Sequence, residues 1–160
     1  MASNPAKVAG IIDNIRRFFQ VLNEHSKLVE RETGLTGSQL WAIKIIAEAE
    51  SIKPSELARL MYLHPATVVG LIDRLVKKGL VTRDRSDLDR RVVEISLSEA
   101  GKKLLLSAPE VPQGLIVRGL EDLTAEKLSS VADGVEELVK ILGAEGIPPQ
   151  LLLSSEVNVP

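Results

Sequence analysis

The sequence predicts a mainly helical α+β fold, with about six helices and a small sheet of two or three strands. Three observations carry that expectation. The stretch HPATVVGLIDRLVKKGLV, from His64 to Val81, reads as a helix with its start and stop written in. Pro65 suits the first helical position, where a missing N–H costs nothing and φ is already set. Val68, Leu71, Ile72, Leu75 and Val76 recur on one face, Lys77 and Lys78 favour the negative end of the dipole, and Gly79 suits the left-handed residue that closes a helix. Directly after it come two β-leaning runs, Leu80–Thr82 and Val92–Leu97, separated by the polar loop from Arg83 to Arg91. The third observation is a long amphipathic stripe near each end of the chain. A capped helix followed at once by a hairpin with a cationic tip is the pattern of a winged helix-turn-helix. The helix would enter a DNA major groove while the hairpin tip reaches a neighbouring minor groove.

In chain order, Asn4 and Pro5 open a helix expected to run to about Glu32, with Val8, Ile11, Ile12, Ile15, Phe18, Phe19, Leu22 and Val29 as its stripe. A helix of about 28 residues is roughly 42 Å long, more than one small domain needs, so the surplus apolar surface asks for a partner chain. Thr36 and Gln39 have capping-box spacing for a second helix ending near Glu50. Ser51–Lys53 supplies one short strand, and Pro54 opens a third helix to about Met61. Tyr62, Leu63 and His64 then turn into the helix described first, which completes a helix-turn-helix pair. Ser98 caps the helix after the hairpin, Pro109 and Pro112 must break or kink it, and helix resumes through Leu120. Thr124 caps the last helix, with the stripe Leu128, Val131, Val135, Leu138, Val139 and Leu142, closed by Gly143. Three adjacent leucines, Leu151–Leu153, would be unusual if exposed, so the tail is expected to dock. This organisation assigns residues 1–34 and 104–145 to a helical dimerisation region, 35–103 to the winged domain and 146–160 to a C-terminal tail.

Composition narrows the function. The chain of 160 residues is 44% hydrophobic but holds only two Phe, one Trp and one Tyr, so aliphatic side chains must fill the core. A net charge of −2 argues against a general nucleic-acid coat, yet the charge is unevenly spread. Residues 53–91 carry nine Lys and Arg against five acids, a balance of +4. Residues 121–145 carry two Lys against seven acids, a balance of −5. The positive segment is the one proposed to face DNA. With no cysteine, thiolate catalysis, disulfides and Cys-ligated metals are excluded. His25 and His64 lie far apart without ligand spacing, so neither a metal nor another cofactor is expected. No signal sequence or apolar run of membrane length is evident, and the expectation is a soluble cytoplasmic protein. No Ser/His/Asp grouping, carboxylate pair or phosphate-cradling Gly loop suggests an enzyme.

The segments LTGSQLWAIKIIAE (35–48), KPSELARLMYLHPATVVGLIDRLVKKGLVTR (53–83) and SDLDRRVVEISLSEAGKKLL (86–105) resemble the MarR family of dimeric winged-helix transcriptional regulators. Asp89-Arg90-Arg91 before a strand, followed by a Leu-Ser-x-x-Gly helix start, is the most specific match. The resemblance covers about half the chain. It implies a homodimer joined by the first and last two helices, binding a pseudo-palindromic operator in double-stranded DNA. It also implies repression, often relieved by a small-molecule effector held between the dimerisation and DNA-binding regions. One departure stands out: Val69 and Gly70 occupy recognition-helix positions that are commonly polar or basic in the family. Ala66 and Val69 could touch thymine methyl groups, with more of the specificity left to the wing and to DNA shape.

The candidate DNA contacts are Ser55, His64, Thr67, Arg74, Arg85, Arg90 and Arg91. Arg91 is read as the minor-groove residue, while Arg74, Arg85 and Arg90 are read as phosphate contacts. Thr67 and His64 would reach base edges or phosphate from the helix start, although capping explains them too. Asp89 is read as stabilising the wing, since a free carboxylate there would repel phosphate. His25 and Trp41 are the candidate effector contacts. The alternative function is a winged-helix protein-interaction or non-specific architectural DNA-binding module.

Overall fold

The computed structural model describes residues 4–152. Seven helices and a three-stranded sheet follow in the order α1 (Pro5–Thr33), α2 (Gly37–Ala49), β1 (Ser51–Ile52), α3 (Pro54–Met61), α4 (Pro65–Lys77), β2 (Val81–Arg85), β3 (Val93–Leu97), α5 (Glu99–Leu105), α6 (Pro112–Glu121) and α7 (Ala125–Ile141). The count exceeds six because residues 106–111, which include Pro109, separate α5 from α6, and Pro112 starts α6 afresh.

Local chemistry sets most boundaries. Asn4 Oδ1 accepts from the Lys7 N–H at 3.1 Å to cap α1, and Gly34 ends it at φ 68°. Thr36 and Gln39 form a reciprocal capping box at the start of α2, each bond 3.2 Å. Thr124 caps α7, and Gly143, at φ 63°, follows its end.

The sheet order is β1-β3-β2, all antiparallel. Ile95, wholly buried in the central strand, pairs with Ile52 on one side and Arg83 on the other. The hairpin differs from the sequence expectation in one respect. Arg83, Asp84 and Arg85 belong to β2, paired with Ile95, Glu94 and Val93, rather than to the loop. A ribbon that projects from its domain is wet on both faces, so its outer half needs no apolar alternation to pair.

One core fills the space between α2, α3, α4 and the sheet, built from Leu40, Ile43, Ile46, Leu57, Leu71 and Ile95 among others. Each such side chain removed from water contributes about 1.5–3 kcal/mol. Of the long terminal helices, α1 reaches it through Val29. α1 buries only Leu22 and Val29, and α7 buries nothing. Val8, Ile11, Phe18 and Phe19 on α1 and Leu128, Val131 and Val135 on α7 remain exposed. The tail returns to the protein: Leu151 is buried and Leu152 partly exposed, while Leu153 lies outside the described residues.

Candidate nucleic-acid interface

The placement of α4 follows from its two ends and its buried face. α3 finishes with Tyr62 in the left-handed region (φ 54°), a conformation a non-glycine residue adopts at a cost of about 1 kcal/mol or more. That sharp turn lets Pro65 begin α4 three residues later. Val68, Leu71, Ile72 and Leu75 are fully buried. At the far end the Leu80 N–H donates to Leu75 O (3.0 Å) and the Gly79 N–H to Val76 O (2.9 Å), with Gly79 at φ 72°. This crossed pair of bonds is a Schellman closure. With the inner face so fixed, Ala66, Val69, Arg74 and Lys77 are exposed along the outer one. The Arg74 guanidinium runs back along it, its Nη1 4.0 Å from where a Cβ on Gly70 would lie.

Thr67 is the exception among the helix-start candidates. It is buried on the side that faces Leu71 one turn later, so its side chain belongs to the interior rather than to the outer face. His64 is exposed at the position before Pro65, and its side chain does not cap the helix. Ser55 is exposed in the first turn of α3.

The wing beside α4 is braced by its own residues. The Ser86 N–H donates to Val92 O at 2.9 Å and the Val92 N–H to Asp89 O at 2.9 Å. Asp89 Oδ1 accepts from the Arg91 N–H at 2.9 Å, so the carboxylate turns into the loop. Arg85 Nη1 donates to Arg90 O at 3.1 Å, which braces the hairpin mouth while the rest of the guanidinium stays exposed. Arg90 and Arg91 are exposed at the tip. One tie that the sequence did not signal joins wing to helix: Arg83 of β2 ion-pairs with Asp73 of α4. Because that pair is partly exposed, it sets orientation more than it adds stability.

A hollow of about 160 Å³ lies between α2, the α3–α4 turn and α6. Ser38 and Trp41 line it from α2, Met61 and Leu63 from the turn, and Gln113, Ile116 and Val117 from α6. Trp41 packs closely on α6, where a Cβ on Gly114 would fall 3.1 Å from its indole nitrogen. His25, on α1, does not line this hollow; it is half-buried, and its Nδ1 has no hydrogen-bond partner. The structure therefore does not gather His25 and Trp41 into one site. Across the same joint the Tyr62 hydroxyl donates to Glu121 at 2.7 Å, and the accepting carboxylate pushes the phenol pKa up. No three His, Asp or Glu side chains cluster as a metal site among the described residues, and no described helix is long and apolar enough to cross a membrane.

A helix-turn-helix whose second helix shows one bare face beside a braced cationic hairpin defines a winged-helix DNA-binding protein. The comparisons agree in kind. The MarR family model matches residues 35–93. The HTH-type transcriptional repressor MdtR of Bacillus subtilis is 28% identical over 119 residues, covering 74% of this chain and 77% of MdtR. An HTH-type transcriptional regulator of Mycobacterium leprae is 30% identical over 105 residues, covering 64% of this chain and 73% of its own. In fold, the chain is similar to Streptococcus pneumoniae FabT, solved in complex with DNA, with a TM-score of 0.57 and 20% identity over 88% of this chain and 98% of FabT. The chain belongs to the MarR family of transcriptional regulators. These relatives are regulators, not enzymes.

Proposed function

We propose that the protein is a homodimeric, sequence-specific DNA-binding regulator, a repressor whose hold on its operator a small ligand relieves. The observation that carries this is the pairing of the exposed α4 face with the self-braced wing. Phosphate contacts orient such a module, and base contacts from α4 and the wing tip select the sequence. Arg91 and Arg90 meet the backbone or minor groove, Arg74 and Lys77 reach phosphates flanking α4, and Ala66 and Val69 lie against thymine methyl groups. Asp89 holds the loop without meeting DNA. Dimerisation is supported by the exposed apolar stripes of α1 and α7, since contiguous apolar surface of that extent marks an interface. MdtR, a repressor, supports the sign of regulation, and the hollow beside Trp41 is where an effector would separate α6 from the helix-turn-helix.

The test is fluorescence anisotropy with a duplex carrying the inverted repeat nearest the coding region, beside a shuffled duplex, across a salt series. Two α4 helices related by a two-fold read half-sites about 10 base pairs apart. The repeat should bind about a thousandfold or more tighter than the shuffled duplex. Val69 and Gly70, which offer no side-chain hydrogen bonds, favour the second reading of an architectural binder. Equal affinity for both duplexes would establish that reading instead.

A further inference from the structure

After Gly114, no described residue is buried until Leu151. α6 beyond its first turn, the whole of α7 and the turn after it bury no residue fully, and then one leucine goes in. The geometry that delivers it is specific. Gly143, at φ 63°, stops α7, and the Ala144 N–H (to Val139 O, 3.1 Å) and Ile147 N–H (to Ala144 O, 3.0 Å) turn the chain back. Pro148 and Pro149 follow, and their fixed φ removes much of the freedom that seating a tail would otherwise forfeit. Residues 149–152 then form one wall of the hollow lined by Trp41, Met61, Leu63, Ile116 and Val117, and Leu151 is 5% exposed there.

We propose that Pro149–Leu152, anchored by Leu151, closes one side of this hollow and takes up part of its room, an intramolecular plug that an apolar effector too large for the remaining space of about 160 Å³ must displace. The hollow joins three elements that a regulator must keep in register: α2, the turn that launches α4, and α6. A side chain seated among them holds the recognition helix at a set distance from the helices behind it. The plug is an incomplete fit. Gln113 Oε1, on the wall of the hollow, is buried with no hydrogen-bond partner, and a leucine cannot supply one. A small apolar molecule carrying a hydrogen-bonding group would fill the same space and pair Gln113, which is the advantage it needs over a tethered competitor. The consequence for regulation rests on the reading of the chain as a ligand-relieved regulator; the seating of the tail does not.

Trp41 is the chain's only tryptophan, so its fluorescence reports the hollow directly. Two variants separate the anchor from the rest of the tail: a chain ending at Gly146, and the full chain with Leu151→Asp. Both should keep the far-ultraviolet circular dichroism of the parent, shift Trp41 emission to the red and raise its quenching by acrylamide. Anilinonaphthalene sulfonate, an apolar dye, should bind both variants more tightly. If the plug is seated nine-tenths of the time in the parent, the gain is about tenfold. Trp41 emission, quenching and dye affinity that match the parent in both variants would overturn the proposal. So would a change confined to the shortened chain, because Leu151 would then not be the anchor. Operator binding by the same samples is read separately: a full Trp41 response in a chain that binds no duplex refutes the regulator reading and leaves the plug standing.

Discussion

Gly101 is the tightest packing point beside the recognition helix, and replacing it by alanine sets two effects against each other. Glycine inside a helix costs about 1 kcal/mol relative to alanine, so propensity alone predicts that Gly101→Ala stabilises α5. Sterics oppose it. A Cβ on Gly101 would sit inside the contact distance of the Leu80 carbonyl oxygen by about an ångström, taking 3.3 Å as the near limit for such a pair. Neither side yields easily, because Leu80 is backbone and is pinned twice. Its N–H donates to Leu75 O and its carbonyl accepts from the Ser98 N–H, both at 3.0 Å. Ser98 is committed as well: its hydroxyl donates to Gly79 O (2.6 Å) and accepts from the Gly101 N–H (3.0 Å). Moving α5 out by an ångström breaks the Ser98–Leu80 bond, a loss of about 1 kcal/mol, on top of about 1–3 kcal/mol for overpacking. Sterics win, and the net loss should be about 1–3 kcal/mol. For a chain of this length each kcal/mol moves Tm by roughly 2–4 °C. The assay is thermal and urea unfolding followed by circular dichroism, with parent and variant at one protein concentration so that self-association affects both alike. A variant that melts at or above the parent temperature would refute the close approach of α5 to the Gly79–Leu80 turn.

Three further outcomes follow from the geometry. Arg91→Ala should leave folding intact and weaken operator binding, with the slope of log affinity against log salt shallower by about 2 for a dimer that loses one phosphate contact per wing; Asp89→Ala should weaken binding with the slope unchanged, and anisotropy across a salt series reads both. Sedimentation should give a dimer at micromolar concentration for the parent and a monomer for Phe19→Glu, since a charge in the exposed α1 stripe cannot be buried against a second chain. The single tyrosine titrates where ultraviolet absorbance can follow it, and its midpoint should lie above the ordinary value near 10, returning towards it in Glu121→Gln. The protonated phenol is the donor to Glu121, so that tie is intact below the ordinary pKa and lost as pH rises through the raised one; a midpoint unmoved by Glu121→Gln would remove the tie from the joint.

Much of the fold was legible in the sequence because the residues that set helix ends act locally. Asn4, Thr36, Gly79, Ser98 and Thr124 each satisfy backbone groups within a few positions, so their spacing was enough. What escaped depends on residues brought together from afar. The tie of Tyr62 to Glu121 spans 59 positions, and the pairing of Asp73 with Arg83 joins a helix to a strand. The outer half of β2 looked like loop because charged residues were read against an alternating pattern that a projecting ribbon does not need. Thr67 is a related case. Helical spacing puts it beside Arg74, but a short side chain next to Leu71 is covered where a long one is not. The tail's leucines signalled burial without saying where, and only the fold brings Leu151 to the hollow that Trp41 lines.

The wing is built as a cantilever. Its root is clamped where Ile95 lies between Ile52 and Arg83, and from there to Arg91 the ribbon overhangs by four residues, roughly 13 Å at 3.3 Å per residue. Beyond the root, hydrogen bonds among residues 85–92 shape the tip. A rotation of a few degrees at the clamp is therefore magnified at the tip, which makes the reach of the wing sensitive to small changes in the body. The tip itself can be lengthened, shortened or recharged without disturbing the clamp. Eight residues at the tip can thus change while the parts that keep the domain folded stay as they are.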